Sequence, residues 1–240
     1  MADPTIVPMA LRTDQGIVLR SYPFGESHKV VVLVSAANGK LRTVAKGVRK
    51  TKSRFGGRLE PFTHVELVLY EGRELDTITQ VEVIDAHTPL RGDIEAVGAA
   101  STMAEVVDHV VHPEEPSAAV FLTFRRGLAA LDAGERGPDV LSRFLLGVLD
   151  AIGLAPALDE CASCGREPGG RFSFPAGGAV CDACAPAGAV RLRPGVLEHL
   201  AAVRDGDVPD PSTADDALGV LRRFVEFHLE RRLGSVGVLS

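Results

Sequence analysis

Tryptophan is absent from this chain of 240 residues, and aromatic surface is limited to two tyrosines and ten phenylalanines. Contacts built mainly on aromatic rings are therefore not expected, and charge has to carry most recognition. No long uninterrupted apolar run occurs, which argues against a membrane-spanning helix, and residues 1–14 lack the basic-then-apolar layout of an export signal. A soluble, cytoplasmic protein without membrane partners is expected. Common catalytic signatures are missing too. Val34 stands where a phosphate-cradling loop ending in Gly39-Lys40 needs its first glycine, and neither HExxH nor GxSxG is present. Nucleotide hydrolysis is not expected, and the chain reads as a non-enzyme.

Cysteine is limited to four residues, in two matched pairs: Cys161-Ala-Ser-Cys164 and Cys181-Asp-Ala-Cys184, separated by sixteen residues. Each two-residue spacer lets a tight turn aim two thiolates at one ion, and this spacing predicts a tetrahedral zinc site. Between the pairs, Arg171-Phe172-Ser173-Phe174 alternates polar and apolar side chains, as in the short strand of a zinc ribbon. Two disulfides are the competing reading, although a reduced cytosol favours metal. One structural Zn2+ bound by all four thiolates would leave no open position for water, which speaks against a zinc hydrolase. His109 and His112, with Glu105, offer further metal-binding groups, but Pro113 closes the helix there and ordinary surface histidines are the favoured reading.

Acidic residues are unevenly spread. The chain carries a formal charge of -6 overall, yet residues 1–80 hold twelve Lys or Arg against eight Asp or Glu, or +4, while residues 81–240 hold fourteen against twenty-four, or -10. No acid occurs between Gly39 and Leu59, where Lys40, Arg42, Lys46, Arg49, Lys50, Lys52, Arg54 and Arg58 supply eight cations. Such a segment attracts a polyanion, unless it is no more than a solvated basic loop. Phe55 lies within it and is the best candidate for stacking on a base.

Around this segment the sequence reads as strands: residues 16–20, 28–34, 40–48, 64–70 and 76–84 are rich in β-branched or alternating apolar residues. Asn38-Gly39 marks a hairpin between the second and third. Five short strands, with a long connection after the third, predict a closed OB-fold barrel over residues 1–85. After Pro89 the apolar period changes from two to about 3.6. Helices are expected from Ile94 to His112-Pro113, from Pro116 to Leu131, after Gly137-Pro138, from about Pro194, and from about Thr213 to Leu233. The expected architecture is α+β: the barrel, then a helical domain over 86–240 interrupted by the zinc ribbon at 157–190. Arg125-Arg126, Arg222-Arg223 and Arg231-Arg232 on its helices are solvated surface or, beside an apolar groove, a site for an acidic peptide.

Several stretches together resemble the RecO family of DNA repair and recombination mediators. They are Gly16-Ile17-Val18-Leu19, the turn from Phe24 to Lys29, Gly39-Lys40-Leu41, Ala45 to Arg49, Ser53 to Phe62, and Leu75 to Gln80. The likeness extends over nearly the whole chain. It implies an N-terminal OB-fold, a helical domain with a zinc ribbon, and no turnover of nucleotide. It further implies binding to single- and double-stranded DNA, annealing of complementary strands, and work with RecR to load RecA, an indirect partner, onto DNA coated by single-stranded-DNA-binding protein, in a nucleoid-associated setting. By position, the family's basic barrel surface corresponds to the eight cations between Lys40 and Arg58. A second reading, from a different class, is a protein-interaction adaptor whose basic barrel docks an acidic partner.

Overall fold

A computed structural model describes residues 11–48 and 55–229. Five strands close into a barrel in the order β1-β2-β3-β5-β4. They are β1 (Leu11–Phe24), β2 (His28–Ser35), β3 (Gly39–Ala45), β4 (His64–Tyr70) and β5 (Asp76–Asp85). β1 is long enough, at 14 residues, to serve two neighbours. Its first half pairs with β4, from Leu11↔Tyr70 to Ile17↔His64, and its second with β2, through Phe24↔His28. An irregularity between Val18 and Arg20 bends the strand from one partner toward the other. Closure is completed by a parallel pairing of β3 with β5 over Thr43↔Asp76 and Val44↔Thr77.

β3 is shorter than its sequence pattern suggests. It stops at Ala45, ahead of a turn in which Gly47 adopts the left-handed conformation (φ 73°) that glycine accepts without a Cβ clash. Val18, Val31, Leu33, Leu67, Leu69 and Ile78 fill the barrel and are fully buried. At the β2–β3 hairpin, the Asp14 carboxylate accepts hydrogen bonds from Ser35 Oγ and Asn38 Nδ2, both at 2.7 Å, and so fixes the turn that presents Lys40 and Arg42.

The chain divides into two compact units, and Val111–Phe121 groups with the barrel. Three backbone bonds attach this segment to the hairpin: Lys40 N–H to His112 O (3.0 Å), Glu114 N–H to Asn38 O (3.2 Å) and Ser117 N–H to Ala36 O (3.1 Å).

The other unit is helical, with α1 (Thr88–Arg91), α2 (Ile94–Val110), α3 (Ala118–Asp132, its first residues lying in the barrel unit), α4 (Pro138–Ala151), α5 (Val196–Asp205) and α6 (Ala214–His228). Asp93 caps α2: its Oδ1 accepts from Glu95 N–H at 2.8 Å and Ala96 N–H at 3.1 Å, satisfying first-turn donors that no helix can pair internally. The buried His199 ring ties α5 to the start of α4, with Nε2 2.9 Å from Asp139 Oδ1 and Nδ1 3.0 Å from the Asp210 carbonyl. Between α4 and α5 lies a three-stranded sheet of order β7-β6-β8, formed by β6 (Arg171–Ser173), β7 (Gly178–Val180) and β8 (Val190–Arg191). Phe172 of β6 is fully buried and meets Phe224 of α6 edge to face, with centroids 5.7 Å apart. That aromatic contact packs the cysteine-bearing excursion onto the helices.

Candidate metal centre and nucleic-acid interface

Both cysteine pairs occupy the same kind of turn. In the first, the Cys161 carbonyl accepts from Cys164 N–H at 3.2 Å and Gly165 N–H at 2.8 Å; in the second, the Cys181 carbonyl accepts from Cys184 and Ala185 N–H, both at 3.0 Å. Gly165 sits at φ 68°, which lets the chain leave the first turn sharply. A bond from Ala162 N–H to Ala179 O, 2.8 Å, fastens this turn to β7.

The four sulfurs all lie within 4.8 Å of one another, and Cys164 Sγ is 3.8 Å from Cys181 Sγ. A tetrahedron with metal–sulfur bonds of 2.3 Å has an edge of about 3.8 Å. A disulfide requires about 2.05 Å, and all four cysteines are free, so the two-disulfide alternative is set aside. The donor chemistry fits a metal dication. Arg166, whose Nε is 3.4 Å from Cys164 Sγ, holds that thiol down to about 6, helped by its own backbone N–H. Cys161 is lowered chiefly by the backbone N–H of Cys181. Cys184 is pushed up to about 12, mainly by the neighbouring Cys164 and Cys181 sulfurs, because a further negative charge beside them is unfavourable. A cation among the sulfurs removes that penalty, and four thiolates complete its coordination. Cys161, Cys164, Cys181 and Cys184 are thus brought together as the spacing predicted.

The basic residues of the barrel fall into two groups. Arg42, Lys46 and Arg58 are exposed and Lys40 is half-buried. Arg49, Lys50, Lys52 and Arg54 lie outside the described residues. Arg42 donates from Nη2 to the Tyr22 hydroxyl at 3.1 Å, while the Arg20 guanidinium lies over the Tyr22 ring, 5.6 Å from its centre. Among the described residues no carboxylate pairs with Arg42, so its charge is available to an anion. Lys29 is neutralised by Glu60 at 3.2 Å.

Phe55 requires a correction. Expected as a stacking ring, it is only 1% exposed and belongs to the barrel core with Leu59. The two residues, four positions apart in the turn that leads to β4, supply apolar bulk to the barrel interior, and a buried ring has no face left for a base. Tyr22 and Phe24, which the sequence offers beside Phe55 among the barrel's few aromatics, lie near Arg20, a cation outside the acid-free segment. They alternate along the end of β1, on the face Arg42 shares, and Phe24 is 49% exposed. The two-residue period past Arg20 puts all three on one side of the strand.

In the helical unit, a groove of about 320 Å³ is lined by Phe144, Leu146 and Val203 and bordered by Arg126, Arg143 and Arg204. Arg143 pairs with Glu135, and Arg204 with Asp159 and Asp205. His109 Nδ1 lies 2.7 Å from the Glu105 carbonyl of the same helix. Among the described residues, no helix is long and apolar enough to cross a membrane.

Two family models match successive parts of the chain: "Recombination protein O N terminal" over residues 9–87 and "Recombination protein O C terminal" over residues 91–236. Three curated relatives, each named DNA repair protein RecO, align along almost their entire length. The protein of Nocardioides sp. is 42% identical over 242 residues, covering 96% of this chain and 99% of the relative. That of Thermobifida fusca is 40% identical over 241 residues (97% and 99%), and that of Frankia casuarinae 39% over 242 residues (97% and 99%).

Proposed function

The chain belongs to the recombination protein O family, and on that premise we propose that it is a DNA-binding mediator of recombinational repair that works without turning over a substrate. The observation that carries the proposal is the exposed Arg42 and Lys46 on a closed five-stranded barrel, at the start of a segment that holds eight cations and no acid. Those side chains neutralise phosphates, the barrel holds a strand, and two bound strands are brought together to pair. Annealing needs no bond to be made or broken in the DNA, so no catalytic group is called for. In this reading residues 1–85 bind DNA, single- or double-stranded, and residues 86–240 serve the protein partners.

Those partners are RecR, with which the protein loads RecA, and the single-stranded-DNA-binding protein. An acidic tail of the latter fits the groove beside Arg126, where apolar lining meets a guanidinium with no carboxylate partner among the described residues, Arg143 and Arg204 being already ion-paired. The metal is Zn2+, and its role is structural: Cys161, Cys164, Cys181 and Cys184 bind one ion and make its binding part of the folding of residues 157–190. The protein acts in the cytoplasm, at the nucleoid.

The test is annealing of complementary strands coated by single-stranded-DNA-binding protein, with and without RecR, across a salt series. Acceleration that fades steeply with salt supports the mediator. An adaptor whose barrel docks an acidic protein would bind RecR yet leave annealing unchanged, and that result would replace the proposal.

A further inference from the structure

The end of β1 and the adjoining part of β3 carry a pattern that phosphate binding alone leaves unused. Along β1, Arg20, Tyr22 and Phe24 point to one face, because side chains alternate along a strand. Arg20 and Arg42 both stand in register with Val32 of β2, so the two guanidinium groups flank one row of that face. The next row starts at Tyr22, paired with Val30, and the last at Phe24, paired with His28. The face points away from the barrel core, which is filled by Val18, Val31, Leu33 and Leu41.

Two restraints set the Tyr22 ring before any ligand arrives: the Arg20 guanidinium over the ring at 5.6 Å and the Arg42 hydrogen bond to its hydroxyl at 3.1 Å. Pre-set rings lose little freedom on binding. Phe24, 49% exposed, presents apolar surface to water, which is unfavourable unless something covers it. The backbone rise separates Tyr22 and Phe24 by about 6.7 Å along the strand. That gap is twice the roughly 3.4 Å between stacked bases, so one base fits between ring positions only after leaving its own neighbours.

We propose that Tyr22 and Phe24 form a base-stacking platform for single-stranded DNA, with Arg20, Arg42 and Lys46 holding the flanking phosphates. The inference rests on the DNA-binding reading above and adds to it a substrate class for this face. A duplex keeps its bases stacked on one another and offers the rings nothing; an unpaired strand offers π-faces, whatever its sequence. The platform would therefore select strands not yet paired, while the cations bind either form.

The composition supplies the readout. With no tryptophan and only Tyr22 and Tyr70, a Tyr70→Phe chain has Tyr22 as its sole fluorescent side chain of the indole and phenol type. Titration of that folded chain with an oligo-dT strand should quench Tyr22 emission, and duplex should not. Tyr22→Leu and Phe24→Ala should each weaken oligo-dT binding about fivefold or more, leaving duplex affinity within about twofold and the salt slope unchanged. Arg42→Ala with Lys46→Ala should weaken both forms of DNA.

Absence of quenching, or equal losses for strand and duplex in the ring variants, overturns the platform. If Tyr22→Leu fails to fold, the quench and the half-exposed Phe24→Ala still decide. The two failures are separable: ring variants without effect beside weakened Arg42/Lys46 variants refute the platform alone, whereas Arg42/Lys46 variants without effect on either DNA refute the DNA-binding reading itself.

Discussion

Lys40 donates its backbone N–H to the carbonyl of His112 at 3.0 Å, so the hairpin that starts the basic segment is held by a stretch of chain far downstream of it. The residue before Lys40 makes this close approach possible. Gly39 has φ 62°, and a Cβ there would run into the carbonyl oxygens of both His112 and Glu115. Gly39→Ala is expected to destabilise the chain by about 2 kcal/mol or more, from backbone strain and steric overlap together. Urea denaturation measures it, and a change below about 0.5 kcal/mol would show that the strap adapts.

Replacing Lys46, Arg49, Lys50 and Arg54 by alanine should remove up to four phosphate contacts. The slope of log affinity against log salt for single-stranded DNA should then become shallower by about 3, at roughly 0.7 per contact. An unchanged slope would place the phosphate contacts elsewhere.

Metal removal should act on the back half first. Stripping the ion from the four cysteines is expected to expose residues 157–190 to protease, because the Phe172–Phe224 contact then lacks the frame that positions it. The melting temperature should fall by several degrees, at about 2–4 °C per kcal/mol for a chain of this size. Binding to DNA should persist in the stripped protein. Its prompt loss from an otherwise folded chain would mean that the metal supports the DNA site directly.

The first-turn cap of α2 should leave a pH signature. Hydrogen bonds from Ala96 N–H, then from Arg136, then from Glu95 N–H hold the Asp93 carboxyl below its ordinary value. A carboxyl depressed by folding stabilises the fold above its unfolded value, and that contribution disappears as pH falls through the folded value. Asp93→Asn keeps the cap acceptor but loses the charge. Its deficit in melting temperature should be full above about pH 4 and shrink as pH is lowered further. A deficit independent of pH would remove the charge from the account.

Charge reversal at Arg126 tests the groove. Arg126→Glu should weaken binding of an acidic peptide ending in apolar residues about 5- to 20-fold, by loss of one charge-assisted contact and gain of repulsion. DNA binding should be untouched, and equal weakening of both ligands would argue against separate surfaces.

How much of this was legible in the sequence depended on whether the signal was local. The cysteine pairs were readable because two short spacers fix the turn geometry, whatever the rest of the chain does. The strands and helices were readable from their periods, and the end of β3 was misplaced because Gly47 turns the chain while the apolar pattern continues to Val48. Phe55 was misread because neighbouring charge says nothing about which way a loop residue points; the barrel's need for apolar filling decided it. The tie between Lys40 and His112 left no mark on either segment, since backbone bonds of that kind depend on proximity and not on side-chain type.

The pairing of β3 with β5 over only two registered positions has a topological consequence. As long as Thr43↔Asp76 and Val44↔Thr77 hold, the five strands form a ring with no beginning or end. Unzipping those two positions turns the ring into an open sheet with two bare edges, each able to recruit a strand from another molecule. The shortest seam in the barrel is thus the one that keeps neighbouring copies of the protein from adding to one another's sheets.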